Sequence, residues 1–294
     1  MDIFNVGKNI VVANTSNIGS NIVCINTDEG LVFIDTGLIV EKVKKFRQVM
    51  EKKFNKKTIY LVLTHAHQDH IFGMKSFFDV PIIASQACKE KIKERLTTDF
   101  TGDGIRKILE YYSEFKDYFV NMGISEDEIA EVVKPTDISV QIPQKGFKKE
   151  LTIGNEEKKI IITLTGGHSL DSATIYIPSE KVLITGDEFY HSQVPLFAGM
   201  PENHQNWLKA IKSWEKLDVK TVIPGHGSPI EFEYVVNARK FIEKTFKTLK
   251  ELKEKSIEVD EAVKDERLKD YYGKSNWKDP SWWKESLKAL YKIL

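Results

Sequence analysis

Cysteine is scarce in this sequence of 294 residues, which contains only Cys24 and Cys88. Two cysteines are too few for a disulfide scaffold, and neither belongs to the Cys-x-x-Cys pattern of a redox or zinc motif. Cys24 lies in an apolar run of strand-forming residues, where a free thiol packs like a small hydrophobic side chain. We therefore expect neither a disulfide framework nor a functional thiol.

An excess of charge and long apolar runs are also missing. The 43 lysines and arginines balance the 43 aspartates and glutamates, whereas proteins that grip nucleic acid usually carry a basic excess. No apolar run approaches the roughly 18 residues that span a bilayer, and Met1-Asp2-Ile3-Phe4 lacks the basic start of a signal peptide. The sequence predicts a cytoplasmic globular protein without a nucleic-acid or membrane partner.

Short runs rich in β-branched and apolar residues dominate the first third of the chain. The strands predicted from such runs are 9–14, 21–26, 31–36, 58–63, 81–85, 150–153, 159–165, 172–177, 181–185 and 220–223. The helices predicted from amphipathic patterns are 40–54, 86–97, a region of about 100–135, 204–216 and most of 231–294. Ser125 and Glu128 have the spacing of a capping box, in which Ser125 caps a helix and Glu128 reaches back to it.

The last helix carries an apolar stripe after Asp279-Pro280, a pair typical of a helix start. The stripe comprises Trp283, Leu287, Leu290, Tyr291 and Leu294. We expect it to pack against the body of the domain. A subunit interface, which would make a homodimer possible, or a channel wall are the alternatives.

Three histidines and an aspartate follow the buried strand 58–63 within the segment Thr64-His65-Ala66-His67-Gln68-Asp69-His70. Imidazole and carboxylate are the usual ligands of zinc and similar divalent metals. A turn after a strand can direct His65 and His67 toward one centre, and Asp69 and His70 toward a second centre nearby. Packing alone does not explain such a cluster, so the segment predicts a metal site.

Three later segments place a further potential ligand directly after a predicted strand. They are Gly166-Gly167-His168-Ser169, Thr185-Gly186-Asp187 and Pro224-Gly225-His226-Gly227. Glycine permits the tight turns that aim such side chains inward. Because strand ends make a rigid rim for functional groups, the recurrence favours one shared site.

With these motifs the chain resembles the metallo-β-lactamase superfamily over roughly residues 9–228. The matching elements are His65-x-His67-x-Asp69-His70, then His168, Asp187 and His226 in the family's order. Asp35 also matches the family's early aspartate, which holds the metal-binding loop in place. The resemblance implies an α+β fold, an αββα sandwich of two mixed β-sheets with helices on the outer faces. We predict one such domain at 1–228 with a helical insert at about 100–135, and a helical extension at 229–294 packed on it.

The resemblance also implies how the ligands are shared between two divalent metal ions. One ion would be held by His65, His67 and His168, the other by Asp69, His70 and His226, with Asp187 bridging them. Zinc is predicted, with Mn²⁺ or Fe²⁺ as alternatives. Persulfide dioxygenase relatives keep much of this motif with a single iron, which leaves a mononuclear iron oxygenase as a further alternative.

A hydroxide bridging two metals is a strong nucleophile at neutral pH. We therefore predict a metal-dependent hydrolase that cleaves an ester, lactone or thioester bond in a small molecule. Asp69 is the candidate that orients the hydroxide and passes a proton to the leaving group. Tyr190 has the spacing from Asp187 of the tyrosine that holds the substrate carbonyl in acyl-homoserine lactonases. His191 and His204 are predicted to lie outside the ligand set.

Other substrate classes remain open at this point. A β-lactamase would use the same chemistry, but the sequence shows no secretion signal, which disfavours the hypothesis of a role against external antibiotics. A phosphodiesterase or nuclease is disfavoured by the neutral charge. The insert is rich in aromatic residues, which we expect to pack on the body of the domain, and side chains that faced the metals instead would favour a partly apolar acyl substrate. These aromatic residues are Phe100, Tyr111, Tyr112, Phe115, Tyr118 and Phe119.

Overall fold

The first of two β-sheets is built by the N-terminal half of the chain. The structure is a computed structural model that describes residues 1–121, 123–134, 137–190, 201–268 and 281–294. The sheet has seven strands in sequence order, antiparallel from β1 to β4 and parallel from β4 to β7. The strands are β1 Asp2–Val6, β2 Ile10–Asn14, β3 Asn21–Asn26, β4 Leu31–Ile34, β5 Thr58–Val62, β6 Ile82–Ser85 and β7 Lys145–Phe147.

The second sheet has six strands in the order β13-β12-β11-β10-β9-β8. Its only parallel pair among the described residues is β11 with β12, so this sheet is mixed like the first. The strands are β8 Glu150–Ile153, β9 Ile160–Leu164, β10 Ala173–Ile177, β11 Val182–Tyr190, β12 Thr221–His226 and β13 Ile230–Glu231.

Helices connect the strands and cover the outer faces of both sheets. The helices before the second sheet are α1 Val40–Phe54, α2 Gln68–Ile71, α3 Gln86–Arg95, α4 Gly102–Glu114, α5 Lys116–Asn121 and α6 Glu126–Val133. The later helices are α7 Pro201–Trp214, α8 Phe232–Glu254, α9 Val259–Ala262 and α10 Ser281–Ile293. Short 3-10 helices occur at Phe72–Phe77, Pro178–Glu180 and Glu266–Leu268. None of the helices in the described part of the chain combines the length and the apolar composition that a membrane span requires.

Three apolar clusters follow from the alternation of side chains along the strands. Inward-facing residues of both sheets, such as Val12 and Ile175, form the central cluster. The outward-facing residues of the first sheet, such as Phe33, pack against α1, α3, α4 and α6. Those of the second sheet, such as Leu183, pack against α7 to α10. This layering confirms the predicted αββα sandwich of two mixed sheets.

The predicted packing of the C-terminal stripe is confirmed for four of its five residues. Leu287, Leu290 and Tyr291 are buried in the outer cluster of the second sheet, and Leu294 packs against it. The side chain of Trp283 and the pair Asp279-Pro280 lie outside the described residues. The boundary between a domain at 1–228 and an extension at 229–294 stays a prediction.

Three local predictions need correction. The strand predicted at 181–185 continues to Tyr190, because two register shifts against β12, around Gly186, let pairing continue where the apolar pattern breaks off. The prediction missed β1, which is mostly exposed and carries little apolar signal, and the short strands β7 and β13. Ser125 does accept a hydrogen bond from the Glu128 amide at 3.2 Å. The Glu128 carboxylate, however, accepts hydrogen bonds from Asn17 instead of reaching back to Ser125, so that half of the capping box is wrong.

Candidate metal centre

The segment from Thr64 to His70 leaves β5 and turns into the short helix α2. His67 has an extended backbone directly before this helix, with φ −75° and ψ 149°. The change from extended to helical backbone brings side chains on both sides of it to the same place. The rings of His65 and His70 lie 4.1 Å apart between centroids, and those of His65 and His67 lie 4.5 Å apart. The predicted clustering of these histidines is therefore observed.

Asp35 braces this segment from the end of β4. Its carboxylate accepts hydrogen bonds from the Thr64 amide at 2.8 Å, the Thr64 hydroxyl at 2.7 Å and His70 Nδ1 at 2.8 Å. It does so from a left-handed backbone conformation with φ 56°, which is costly for a residue other than glycine. The bond to His70 Nδ1 leaves His70 Nε2 directed to the cluster centre. Asp35 thus holds the loop in place, as predicted.

The second sheet contributes Asp187 and His226 from two adjacent parallel strands. Asp187 lies inside β11, and His226 is the last residue of β12. Gly225 permits their close approach, because a Cβ atom there would lie 2.1 Å from Asp187 Oδ1. The hydroxyl of Tyr190 donates to Asp187 Oδ2 at 2.9 Å, and its ring stacks on His226 at 5.2 Å between centroids. The sheet therefore places Tyr190 beside the predicted ligands.

The ligand atoms of the first predicted set converge tightly. His67 Nδ1 lies 3.0 Å from His65 Nε2 and 3.1 Å from His168 Nε2. Asp187 Oδ2 lies 3.7 Å from His65 Nε2 and 3.6 Å from His168 Nε2. We call these four residues, His65, His67, His168 and Asp187, the first ligand set.

The second predicted set shares Asp187 with the first. Asp187 Oδ1 lies 3.0 Å from His70 Nε2 and 3.3 Å from His226 Nε2. Asp69 Oδ2 lies 3.4 Å and 3.1 Å from the same two nitrogens. We call Asp69, His70, Asp187 and His226 the second ligand set. The two oxygens of Asp187 thus face different sets.

The pKa values of the histidines are shifted in opposite directions in the two ligand sets. Burial lowers the pKa of His65 and His168 in the first set, and it lowers the pKa of His67 to about 4. In the second set, burial opposes the charge on His226, but Asp187 and Asp69 raise its pKa to about 9. The same carboxylates hold the pKa of His70 well above its usual value. The first set therefore offers neutral imidazoles, and the second has a negative potential that attracts positive charge.

These residues fit divalent metal ions on three grounds. In each set the potential ligand atoms all lie within 4.8 Å of one another. Two buried atoms at the centre, His70 Nε2 and Asp187 Oδ1, lack a hydrogen bond of acceptable geometry although they lie 3.0 Å apart. Buried polar atoms without a hydrogen bond call for another partner, such as an ion. Imidazole and carboxylate together suit zinc, manganese or iron.

Replacement of Asp35 with asparagine is expected to lower metal affinity about 10- to 100-fold. In asparagine an NH2 group replaces one of the two oxygens, so that it faces either the Thr64 amide at the Oδ1 position or both the Thr64 hydroxyl and His70 Nδ1 at the Oδ2 position. Either placement removes a hydrogen bond that holds the metal-binding loop or orients the His70 ring. Competition with a chromophoric zinc chelator measures the affinity. Asp28→Asn, which removes an exposed charge elsewhere, serves as the control, and equal affinities in the two variants would contradict the predicted role.

The sequence interpretation missed Asp171, which links several parts of the site. This residue is 2% exposed. Its carboxylate accepts hydrogen bonds from the Ala66 amide at 2.8 Å, the Ser169 hydroxyl at 2.9 Å and the Lys91 ammonium at 2.8 Å. It therefore ties the loop of His65 and His67 to the loop of His168. Only its position three residues after His168 could have suggested this role.

The helical insert touches the metal-binding loop through Tyr112. Gln68 donates to the hydroxyl of buried Tyr112 at 3.4 Å. Phe100 and Phe119 pack on the body of the domain with it, as predicted. Tyr111 and Phe115, in contrast, are 50% and 43% exposed, so the prediction is wrong for these two residues. The side chain of Tyr118 lies outside the described residues.

The two remaining histidines have different outcomes. His204 stacks on Phe246 with ring centroids 4.5 Å apart and belongs to neither ligand set. His191 lies outside the described residues.

Comparisons with known proteins identify one superfamily and several relatives of this chain. The profile of the metallo-beta-lactamase superfamily matches residues 17–226. A linear primary-alkylsulfatase from Pseudomonas sp. (strain ATCC 19151) is 22% identical over 224 residues, which are 70% of this chain and 41% of the relative. A metallo-beta-lactamase type 2 from Bacillus cereus is 24% identical over 207 residues, which are 69% of this chain and 65% of the relative. The chain thus spans less than two thirds of either relative.

Solved structures show the same fold. The stereoselective inverting sec-alkylsulfatase Pisa1 from Pseudomonas sp. superposes with a TM-score of 0.71 at 18% identity, over 99% of this chain and 49% of that one. A metallo-beta-lactamase from Pontibacter korlensis superposes with a TM-score of 0.58 at 17% identity, over 81% of this chain and 98% of that one. Because the superfamily profile covers well over half of the sequence, this chain belongs to the metallo-beta-lactamase superfamily.

Proposed function

We propose that the protein is a hydrolase that uses two divalent metal ions to cleave a carboxylic ester, lactone or thioester in a small molecule. Zinc is the metal that we propose. When bound, the two ions would supply an activated water molecule and a Lewis acid for the substrate oxygen. The first ligand set would hold one ion and the second ligand set the other. Asp187 would serve both, since its two oxygens face different sets.

The position of Tyr190 is the observation that carries this proposal. Its hydroxyl reaches the Asp187 oxygen that faces the first ligand set, at 2.9 Å, and its ring is held by stacking on His226. A phenol keeps its proton at neutral pH, with an ordinary pKa of about 10. If an ion bound at Asp187 Oδ2 takes the place of this hydrogen bond, the single hydroxyl proton can be donated to the oxygen on which negative charge develops when a carbonyl is attacked. Tyr190 therefore suits acyl substrates.

Asp69 is the proposed proton carrier of the reaction. Its Oδ2 atom contacts His226 and His70 of the second ligand set, and its side chain is 12% exposed. The backbone carbonyl of Asp69 accepts a hydrogen bond at 2.7 Å from the hydroxyl of Ser20, the residue before β3, and this bond holds Asp69 in place. A fixed carboxylate at this place can receive a proton and return it to a leaving group.

Two cations beside the metal-binding loop, Arg95 and Lys91, are already paired, which favours a substrate without a large negative charge. Arg95 donates to the Ala66 carbonyl and to Asp99, each at 2.8 Å. Lys91 is paired with Asp171 at 2.8 Å. An anionic substrate such as a phosphodiester would thus depend on the metal ions for most of its charge compensation.

A sulfuric ester is the second candidate bond. The alkylsulfatase relative supports this candidate, as does a fold that matches Pisa1 over 99% of this chain, including the C-terminal helices. The β-lactamase structure from Pontibacter korlensis covers 81%. Sulfuric and carboxylic esters can be separated by experiment, because their hydrolysis releases different acids.

The test is turnover of a substrate panel by the purified, metal-loaded protein. The panel contains a lactone, a thioester, a carboxylic ester, a primary alkyl sulfate, a cephalosporin and an aryl phosphodiester. Selective turnover of one of the first three supports the proposal. Selective turnover of the alkyl sulfate replaces it with the second candidate, and turnover of the cephalosporin or the phosphodiester overturns both. A tightly bound single iron without turnover would instead support a mononuclear oxygenase.

Tyr190→Phe is expected to lower kcat about 10²-fold, which is typical for the loss of one donor to a developing oxyanion. The variant keeps the ring that stacks on His226 and removes only the hydroxyl. Metal content should therefore remain that of the wild type. Steady-state kinetics on the best substrate of the panel, with metal analysis of the same sample, measures both quantities. Tyr176→Phe, at a tyrosine whose hydroxyl contacts the Asp218 carbonyl instead, is the matched control. Unchanged kcat in Tyr190→Phe would exclude the hydroxyl from the reaction.

The remaining expectations stay predictions. They are a small-molecule substrate without nucleic-acid or membrane partners, a cytoplasmic location and a possible homodimer.

A further inference from the structure

We infer that Glu188 is a positioning residue that sets the metal affinity of the first ligand set by fixing the loop of His168. The inference rests on the proposed metal site. Glu188 follows Asp187 in β11, but it belongs to neither ligand set. It is fully buried, at 0% exposed. A buried carboxylate is costly unless hydrogen bonds satisfy it, so its contacts indicate its role.

The contacts of the Glu188 carboxylate lie on the segment that carries His168. One oxygen accepts hydrogen bonds from the Gly167 amide at 2.9 Å and the Thr165 hydroxyl at 2.6 Å. The other accepts from the His168 amide at 2.9 Å. The carboxylate therefore accepts hydrogen bonds from two consecutive backbone amides, one of which belongs to the predicted metal ligand His168.

The other side of Glu188 is anchored in the second sheet and its covering helix. The indole nitrogen of Trp207 donates to the Glu188 carbonyl at 2.7 Å, and the Trp207 ring stacks on Phe189. Trp207 is 1% exposed. These contacts hold the backbone of Glu188 in place, so its carboxylate is a fixed acceptor for the amides of the loop.

Glycine at position 167 allows the loop to approach Glu188 closely enough for these hydrogen bonds. A Cβ atom on Gly167 would lie 2.2 Å from the nearer Glu188 oxygen and 2.8 Å from the Cα atom of Trp207. Only a residue without a side chain permits this approach. Asparagine side chains support the same loop from α7, since Asn203 donates to the His168 carbonyl at 3.2 Å and Asn206 to the Gly166 carbonyl at 3.3 Å.

Glu188 acts on one ligand set only, and this asymmetry makes the inference testable. His168 belongs to the first ligand set, whereas the second contains no residue of this loop. Loss of the hydrogen bonds from the loop to Glu188 should lower the affinity for the ion held with His168. The affinity for the ion held with His70 and His226 should stay the same. A residue that merely stabilised the fold would weaken both sites together.

The experiment is a zinc titration of metal-free protein against a chromophoric chelator, comparing the wild type with Glu188→Gln. Glutamine has the same size, but its NH2 group replaces one acceptor oxygen and faces either the His168 amide or both the Gly167 amide and the Thr165 hydroxyl. We expect one of the two zinc affinities to fall about 10- to 100-fold, while the other stays within about twofold of the wild type. Glu157→Gln, at an exposed glutamate, controls for the change in charge.

Gly167→Ala provides a second variant that keeps the charge. Its Cβ atom displaces the carboxylate from the loop, and the same selective loss of one zinc affinity is expected. This variant decides the matter if Glu188→Gln does not fold. Two unchanged affinities, or an equal loss at both sites with a lower thermal midpoint, would overturn the inference. A wild-type protein that binds no zinc would instead overturn the proposed function on which it rests.

Discussion

Replacement of Asp187 with asparagine is expected to lower kcat/KM about 10³-fold or more, the largest effect that we predict for a single residue. Asp187 is the one residue shared by both ligand sets, and its two oxygens lie 3.0–3.7 Å from four imidazole nitrogens. Asparagine removes the negative charge, and its NH2 group, which replaces one of the two oxygens, cannot bind a cation. The loss of one preorganised electrostatic group commonly costs 10²–10³-fold in rate, and here two ions would be affected.

The measurement combines steady-state kinetics with metal analysis of the same protein sample. Asp127→Asn is the matched control, because Asp127 is an exposed carboxylate in the first turn of α6. We expect the control to keep wild-type turnover and metal content. Wild-type turnover in Asp187→Asn would show that the carboxylate does not serve the reaction.

Phe33→Ala is expected to lower the free energy of unfolding by about 3–5 kcal/mol, the usual cost of removing a large buried aromatic side chain. Phe33 is 0% exposed on the outer face of the first sheet. Its ring contacts Phe46 of α1 at 5.9 Å and Phe77 at 5.1 Å between centroids. Truncation leaves a cavity between the sheet and its covering helix that these rings cannot fill without leaving their own contacts.

Urea-induced unfolding followed by circular dichroism measures this change. Phe78→Ala, at the neighbour of Phe77, is the matched control, because Phe78 is 36% exposed. We expect the control to change the free energy of unfolding by less than about 1 kcal/mol. Similar losses in the two variants would contradict the packing described for the outer cluster of the first sheet.

The composition of the site was predictable because its chemistry is concentrated in short segments. Three histidines and an aspartate within six residues have no ordinary role in packing, and strand–turn boundaries before His168 and His226 were visible in the sequence. The structure brings all seven predicted ligands together, although their role as ligands stays a prediction. The order of strands and helices was equally visible, because buried strands and amphipathic helices carry strong periodic signals.

The supporting residues were not predictable because they depend on contacts between distant segments. Asp171 binds Ala66 across 105 positions, and no local pattern encodes such a pair. Glu188 follows a predicted ligand in a strand and looked like an ordinary neighbour. The strands β1 and β7 were missed for a related reason. Each has one buried residue, Val6 and Phe147 respectively, and is defined mainly by pairing with the adjacent strand.

In the proposed function, two metal ions bound at the two ligand sets carry out the hydrolysis. The decisive experiment is the titration of metal-free protein with Zn²⁺ while turnover of the best substrate is followed. We expect no turnover without metal and a rise that levels off at two equivalents per chain. A plateau at one equivalent would exclude the two-metal site, and turnover that does not depend on metal would exclude the proposed metal-dependent hydrolysis.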